Sequence, residues 1–159
     1  MSEAAEKPMP EKLARTLETL GMISDRGERI QLLIDIADRF REVPPQIATR
    51  PFPEEHRVPA CESEAYVWGQ VRPDGALDFH FAVENPQGIS ARAMAVLLGD
   101  SLSGAPPEQV AAVPQDIVYK VFGSELSMGK SMGLMGMVSM INNLAKKQLA
   151  AGRPSSPDS

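Results

Sequence analysis

The sequence predicts an α+β fold, a small antiparallel sheet of about three strands packed against helices. Three observations carry that prediction. Two strand-like runs, Ala65 to Arg72 and Leu77 to Val83, flank Pro73-Asp74-Gly75 and together read as an antiparallel hairpin. Apolar residues recur at helical spacing on both sides of that hairpin. The chain has 159 residues, 43% of them hydrophobic, which suits one core and one domain.

In chain order, Met1 to Pro10 is polar, carries two prolines, and is expected to be a flexible leader. Residues 11–150 form the single domain. Leu13, Leu17 and Leu20 predict a first helix that Gly21 stops. Asp25 and Glu28 resemble a capping box for a second, whose Ile30, Leu33, Ile34, Ala37 and Phe40 form a buried stripe. Arg39 and Arg41 suit the negative end of its dipole, and Val43-Pro44-Pro45 ends it. Pro44 to Pro59 holds five prolines and so excludes helix and central strand.

In the second strand, Leu77, Phe79, Phe81 and Val83 alternate with Asp78, His80, Ala82 and Glu84, one face to core and the other mostly to solvent. A lone hairpin is marginal, so a further short strand or helical cover is required. Asn85-Pro86-Gln87-Gly88 turns the chain, and Ser90 caps a helix carrying Met94, Leu97, Leu98 and Leu102. Short helices follow from Pro107 to Ala112 and from Pro114 to Phe122, each opened by a proline. The last helix runs from about Ser131 to Leu149, with Leu134, Val138, Ile141 and Ala145 on one stripe. Residues 151–159, ending in RPSSPDS, are expected to be a disordered tail.

A formal net charge of -5 argues against nucleic acid or an anionic membrane as partner. The longest uncharged run, Ser131 to Ala145, is shorter than the roughly 20 residues a bilayer requires. No basic segment precedes an apolar one near Met1, so no export signal is expected. With a single cysteine, this points to a reducing cytoplasm.

Chemistry concentrates on that cysteine. Cys61 cannot make an internal disulfide or supply a Cys-rich metal site, so it is either a small buried hydrophobe or a nucleophile. It lies between Arg57 and Glu62 at a loop-to-strand junction, where a side chain can be presented rather than packed. His56 and Arg57 are the local groups that could activate it, while Glu62 and Glu64 oppose them, so local charge leaves both readings open. A cysteine hydrolase needs a histidine in reach, and His80 sits on the polar strand face. Residues 129–133 have no Walker lysine, which removes a phosphate loop. Met128, Met132, Met135, Met137 and Met140 mingle with Gly129, Gly133 and Gly136, where methionine either fills gaps in close helix packing or offers an adaptable surface to a partner.

Taken together, Val58-Pro59-Ala60-Cys61-Glu62-Ser63, the following Tyr66, the hairpin, Pro114-Gln115-Asp116, and Leu126 to Leu134 at the head of the last helix resemble the SufE family. The likeness spans about Leu13 to Leu149. Ala60, Ala65, Tyr66, Met128 and Lys130 stand where that family often has glycine, valine, tryptophan, proline and arginine. Lys130 keeps the positive charge without the guanidinium fork. The resemblance implies the α+β fold shared with the IscU scaffold. It also implies an accessory protein rather than a stand-alone enzyme, one that takes persulfide sulfur onto Cys61 from a SufS-like cysteine desulfurase. The pyridoxal phosphate belongs to that partner, and no cofactor is expected in this chain. A SufBCD-type scaffold is the implied recipient in iron–sulfur cluster assembly, and the resting cysteine is implied to lie tucked at a loop tip. Ser63, Arg57, His56 and Lys130 are the residues placed in support. The alternative is a module that docks on the desulfurase while Cys61 stays inert.

Overall fold

The computed structural model describes residues 9–123 and 126–152; the first eight residues of the expected leader and Arg153 to Ser159 of the expected tail lie outside them. The elements run α1 (Glu11–Gly21), α2 (Arg26–Ala37), a 3-10 turn (Glu54–His56), β1 (Ala65–Val71), β2 (Leu77–Val83), α3 (Ile89–Leu102), α4 (Pro107–Ala111), α5 (Ile117–Phe122) and α6 (Met128–Gly152). The two strands pair antiparallel, with Ala65 opposite Val83 and Val71 opposite Leu77. Period-2 alternation then divides the hairpin between two apolar clusters. Val67, Leu77, Phe79 and Phe81 join the main core with α1, α3, α5 and α6. Tyr66, Trp68 and Ala82 face the other way and are covered by Val43 and Phe52.

That second cluster explains the proline-rich stretch. Residues 43–57 pass over the outer sheet face, with the Phe52 ring 5.2 Å from both Tyr66 and Trp68. Arg50 fastens this strap by donating to Glu42 (2.9 Å) and Glu84 (2.9 Å). Those carboxylates, Glu42 first, raise the guanidinium's pKa above its ordinary value.

The expected third strand is reduced to one bridge between Arg57 and Tyr66. Pro59 has no N–H with which to extend the ladder, and Pro51 and Pro53 lie upstream. Both rims of the hairpin are nevertheless partly occupied. On the β1 side, Val58 N–H donates to the Ala65 carbonyl (2.8 Å), and the His56 Nδ1–H donates to the Val67 carbonyl (3.0 Å). On the β2 side, Gly104 N–H reaches the Leu77 carbonyl (2.8 Å) and Val43 N–H reaches the Phe81 carbonyl (2.8 Å). Between them, Phe79 N–H donates to the Ser103 hydroxyl (3.0 Å).

Several helix limits and faces differ from the sequence expectation, each for a local reason. Asp25 does cap α2, accepting from Glu28 N–H at 2.9 Å. The helix ends at Ala37, however, because Arg39 and Phe40 N–H groups turn to Ile36 and Ala37 carbonyls in tighter three-residue steps. Arg39 and Arg41 therefore lie beyond its last turn, and Arg39 faces Asp100 at 3.8 Å. The buried face is Leu33, Ile36 and Ala37, while Ile30 is 47% exposed. Arg29 sets that rotation. Its guanidinium donates to the Leu20 carbonyl (2.8 Å), the Val121 carbonyl (3.1 Å) and the Lys120 carbonyl, tying the ends of α1 and α5 together and leaving Ile30 outside.

Ser90 does not cap α3; Gly88 occupies that position without a side-chain bond. The Asn85 side chain accepts from Gln87 N–H (2.9 Å), a turn that starts the helix before Ser90. Residues after Pro114 form a turn, and α5 begins only at Ile117. The last helix begins three residues early, since the Ser127 hydroxyl accepts from Lys130 N–H at 3.2 Å. Its stripe of Leu134, Val138, Ile141 and Ala145 is buried as expected, joined by Met137. Asn142 is buried there too, its amide donating to the Val110 (2.9 Å) and Val113 (3.2 Å) carbonyls beside α4. Among the described residues no helix is long and apolar enough to cross a membrane.

Candidate functional site

Residues 58–65 close into a narrow loop at the foot of β1. The Val58 to Ala65 bond shuts its neck, and Glu64 N–H donates to the Cys61 carbonyl (3.1 Å) across its tip. Its far side is pinned to the chain leaving β2: Glu84 N–H donates to the Glu64 carbonyl (3.1 Å) and Asn85 N–H to the Ser63 carbonyl (3.2 Å). A loop this tight needs left-handed backbone, found at Ala60 (φ 59°) and Glu64 (φ 53°). Neither is glycine, so each Cβ carries a steric cost of roughly 1–2 kcal/mol that the surrounding bonds must offset.

The tip residues Pro59, Ala60 and Glu62 are exposed, yet the Cys61 between them is only 8% exposed and its thiol is free. It points down onto α6, where small residues let the loop approach. A Cβ built at Gly133 would stand 3.0 Å from Cys61 Cα and 3.3 Å from Cys61 Sγ. One at Gly136 would stand 2.8 Å from a Val58 methyl carbon, and one at Gly129 would meet the Glu62 carboxylate at 3.4 Å. Val58, Cys61 and Glu62 thus rest on Gly136, Gly133 and Gly129 of one helix face. The glycines among the methionines accordingly serve close packing, while Met128 (79% exposed) and Met132 (53% exposed) stand clear on the rim beside the loop.

Next to the thiol lies a cavity of about 150 Å³. Cys61, Glu62 and Ser63 form one wall, the start of α3 from Gln87 to Ala91 a second, and Gly129, Lys130, Gly133 and Leu134 of α6 a third. Two helices, α3 and α6, begin at this cavity, so the positive ends of both dipoles face it.

Of the supporting residues expected from sequence, Ser63 and Lys130 line the cavity with Cys61. Ser63 is held there by the close approach of Gly88, whose added Cβ would come within 3.0 Å of the Ser63 hydroxyl oxygen. His56 and Arg57 do not line it. His56 stacks on Trp68 (5.1 Å) while bonded to Val67, and Arg57 lies 3.5 Å from Glu54. His80 opposes Trp68 across the hairpin and lines a separate groove with Arg39, Arg41 and Asp100. Sequence reasoning missed the glycine floor and the α3 start. The 129, 133, 136 spacing was its only signal, and nothing in the sequence ties that spacing to residue 61.

The sequence model of the family described as "SufE: Fe-S metabolism associated domain" matches residues 14–145. Among solved structures, the chain is similar to the solution structure of a hypothetical protein from Thermus thermophilus. The TM-score is 0.71 at 24% identity, covering 90% of this chain and 99% of that one, which shows the α+β fold. No curated protein matches the chain.

Proposed function

The chain belongs to the SufE family, whose domain is associated with Fe–S metabolism, and from that premise we propose that it is a sulfur acceptor and carrier for a cysteine desulfurase. The observation that carries this reading is the placement of the chain's one thiol: beside a small cavity, at the tip of a strained loop whose neighbouring residues are exposed. A packed structural cysteine has no need of such a loop.

The chemistry is thiol–disulfide exchange in form. The Cys61 thiolate attacks the outer sulfur of a protonated persulfide on the desulfurase cysteine. A new S–S bond forms on Cys61, the old one breaks, and the desulfurase cysteine leaves as a thiolate. The transferred sulfur keeps its oxidation level, so no external oxidant or reductant enters. Pyridoxal phosphate, on the partner, generates that persulfide from free cysteine. In this chain the helix starts around the cavity favour the negative charge that a persulfide carries, and Lys130 adds a cation at the rim. Relieving the partner of its persulfide stimulates its turnover. A SufBCD-type scaffold in the cytoplasm, a reducing compartment, is the recipient this reading assigns.

The test is incubation with a cysteine desulfurase and cysteine, followed by mass spectrometry of the intact chain. One added sulfur atom on Cys61, with stimulation lost in Cys61→Ser, is the expected result. Stimulation that survives Cys61→Ser would instead establish a docking module with an inert cysteine, the reading that the burial of Cys61 favours.

A further inference from the structure

We infer that Gly133 is the positioning residue for Cys61: the bare helix backbone at 133 is the seat that holds the thiol down, and any side chain there unseats the loop. This rests on the reading of Cys61 as the acceptor and adds what controls its exposure. The distances assign the role. At 3.0 Å from Cys61 Cα, an alanine Cβ at 133 would press on backbone, which cannot rotate away as a side chain can. At 136 the obstruction is a methyl carbon of Val58, a stiff β-branched side chain buried at 0% exposure, so it too has nowhere to go. Position 129 is different, for its neighbour is the flexible, exposed end of Glu62. The seat is therefore strict beneath Cys61 and Val58 and slack beneath Glu62.

The loop above it is primed to leave. Ala60 and Glu64 hold left-handed backbone under the hydrogen bonds that close the loop, so a raised loop that gives up those bonds relaxes both. Seating and strain thus oppose each other, and a methyl group at 133 shifts the balance toward the raised loop. A desulfurase that binds the raised loop then meets a larger competent fraction, and its apparent affinity rises by that ratio.

The experiment measures alkylation of Cys61 by iodoacetamide in the folded, full-length chain, which requires no desulfurase. Gly133→Ala is expected to raise the rate about tenfold, with Gly152→Ala, where no atom lies within 4 Å, as the control for changed helix propensity. An unchanged rate in folded Gly133→Ala overturns the inference. Should Gly133→Ala fail to fold, Gly136→Ala reads the same seat. Faster alkylation that returns toward the wild-type rate when Val58→Ala removes the opposing methyl supports it, and wild-type alkylation in Gly136→Ala overturns it. With a desulfurase, Gly133→Ala should lower the half-saturating carrier concentration and leave the saturated rate unchanged, a split that general loosening of the fold would not produce. Failure of the wild-type chain to take up sulfur would refute the carrier reading and leave the alkylation result standing.

Discussion

At the scale of single residues, the loop holding Cys61 is a place where local preference yields to position. Ala60 adopts φ 59° because the bonds at Ala65 and Ser63 fix both ends of the loop. Glycine accepts that conformation without steric cost, and glycine is what the resemblance leads one to expect there. Ala60→Gly should therefore stabilise the protein by about 1 kcal/mol, less the entropy that glycine adds to the unfolded chain. The measurement is the urea midpoint at constant slope; a midpoint that falls would show that Ala60 makes a compensating contact. That Cys61 is the chain's one thiol, open to packing or to chemistry, was legible from composition alone. Its seat was not, because the closeness of residues 61 and 133 is a product of tertiary packing. His56 and Arg57 lie near Cys61 in sequence, yet the stacking of His56 on Trp68 and the bridge of Arg57 to Tyr66 hold them away from its cavity.

Among the elements, α6 packs against β1, α3, α4 and α5. Its period was readable, and the stripe from Leu134 to Ala145 is buried as that period requires. The same reasoning misplaced Ile30 on α2, because the helix's rotation is set by Arg29 bonding to carbonyls 91 and 92 positions away. Periodicity finds an amphipathic helix; it does not reveal which polar residue pins it. Asn142 is a comparable pin on α6, joining two carbonyls at the end of α4. Asn142→Ala should cost about 2–3 kcal/mol, since it strands two buried acceptors and leaves a small void. Calorimetry would register this as a drop of roughly 4–12 °C in the melting midpoint, and an unchanged midpoint would mean that water replaces the amide.

For the whole molecule, the central fact is a two-stranded sheet shared by two clusters, helices on one face and the proline-rich strap on the other. Neither cluster can keep its shape once the hairpin parts. Trp68, the chain's one tryptophan, sits in the strap cluster and reports on it alone. Unfolding followed by its fluorescence and by far-ultraviolet circular dichroism of the helices should give coincident transitions. An earlier fluorescence change would show that the strap detaches as a separate unit. The occupied rims of that hairpin carry a last consequence. A visiting peptide cannot pair with the Ala65 and Val67 carbonyls of β1 or the Leu77 and Phe81 carbonyls of β2, which already hold Val58, His56, Gly104 and Val43. Strand addition is closed to a partner at those positions, and the same capping guards them in a concentrated solution against strand-to-strand fibre growth.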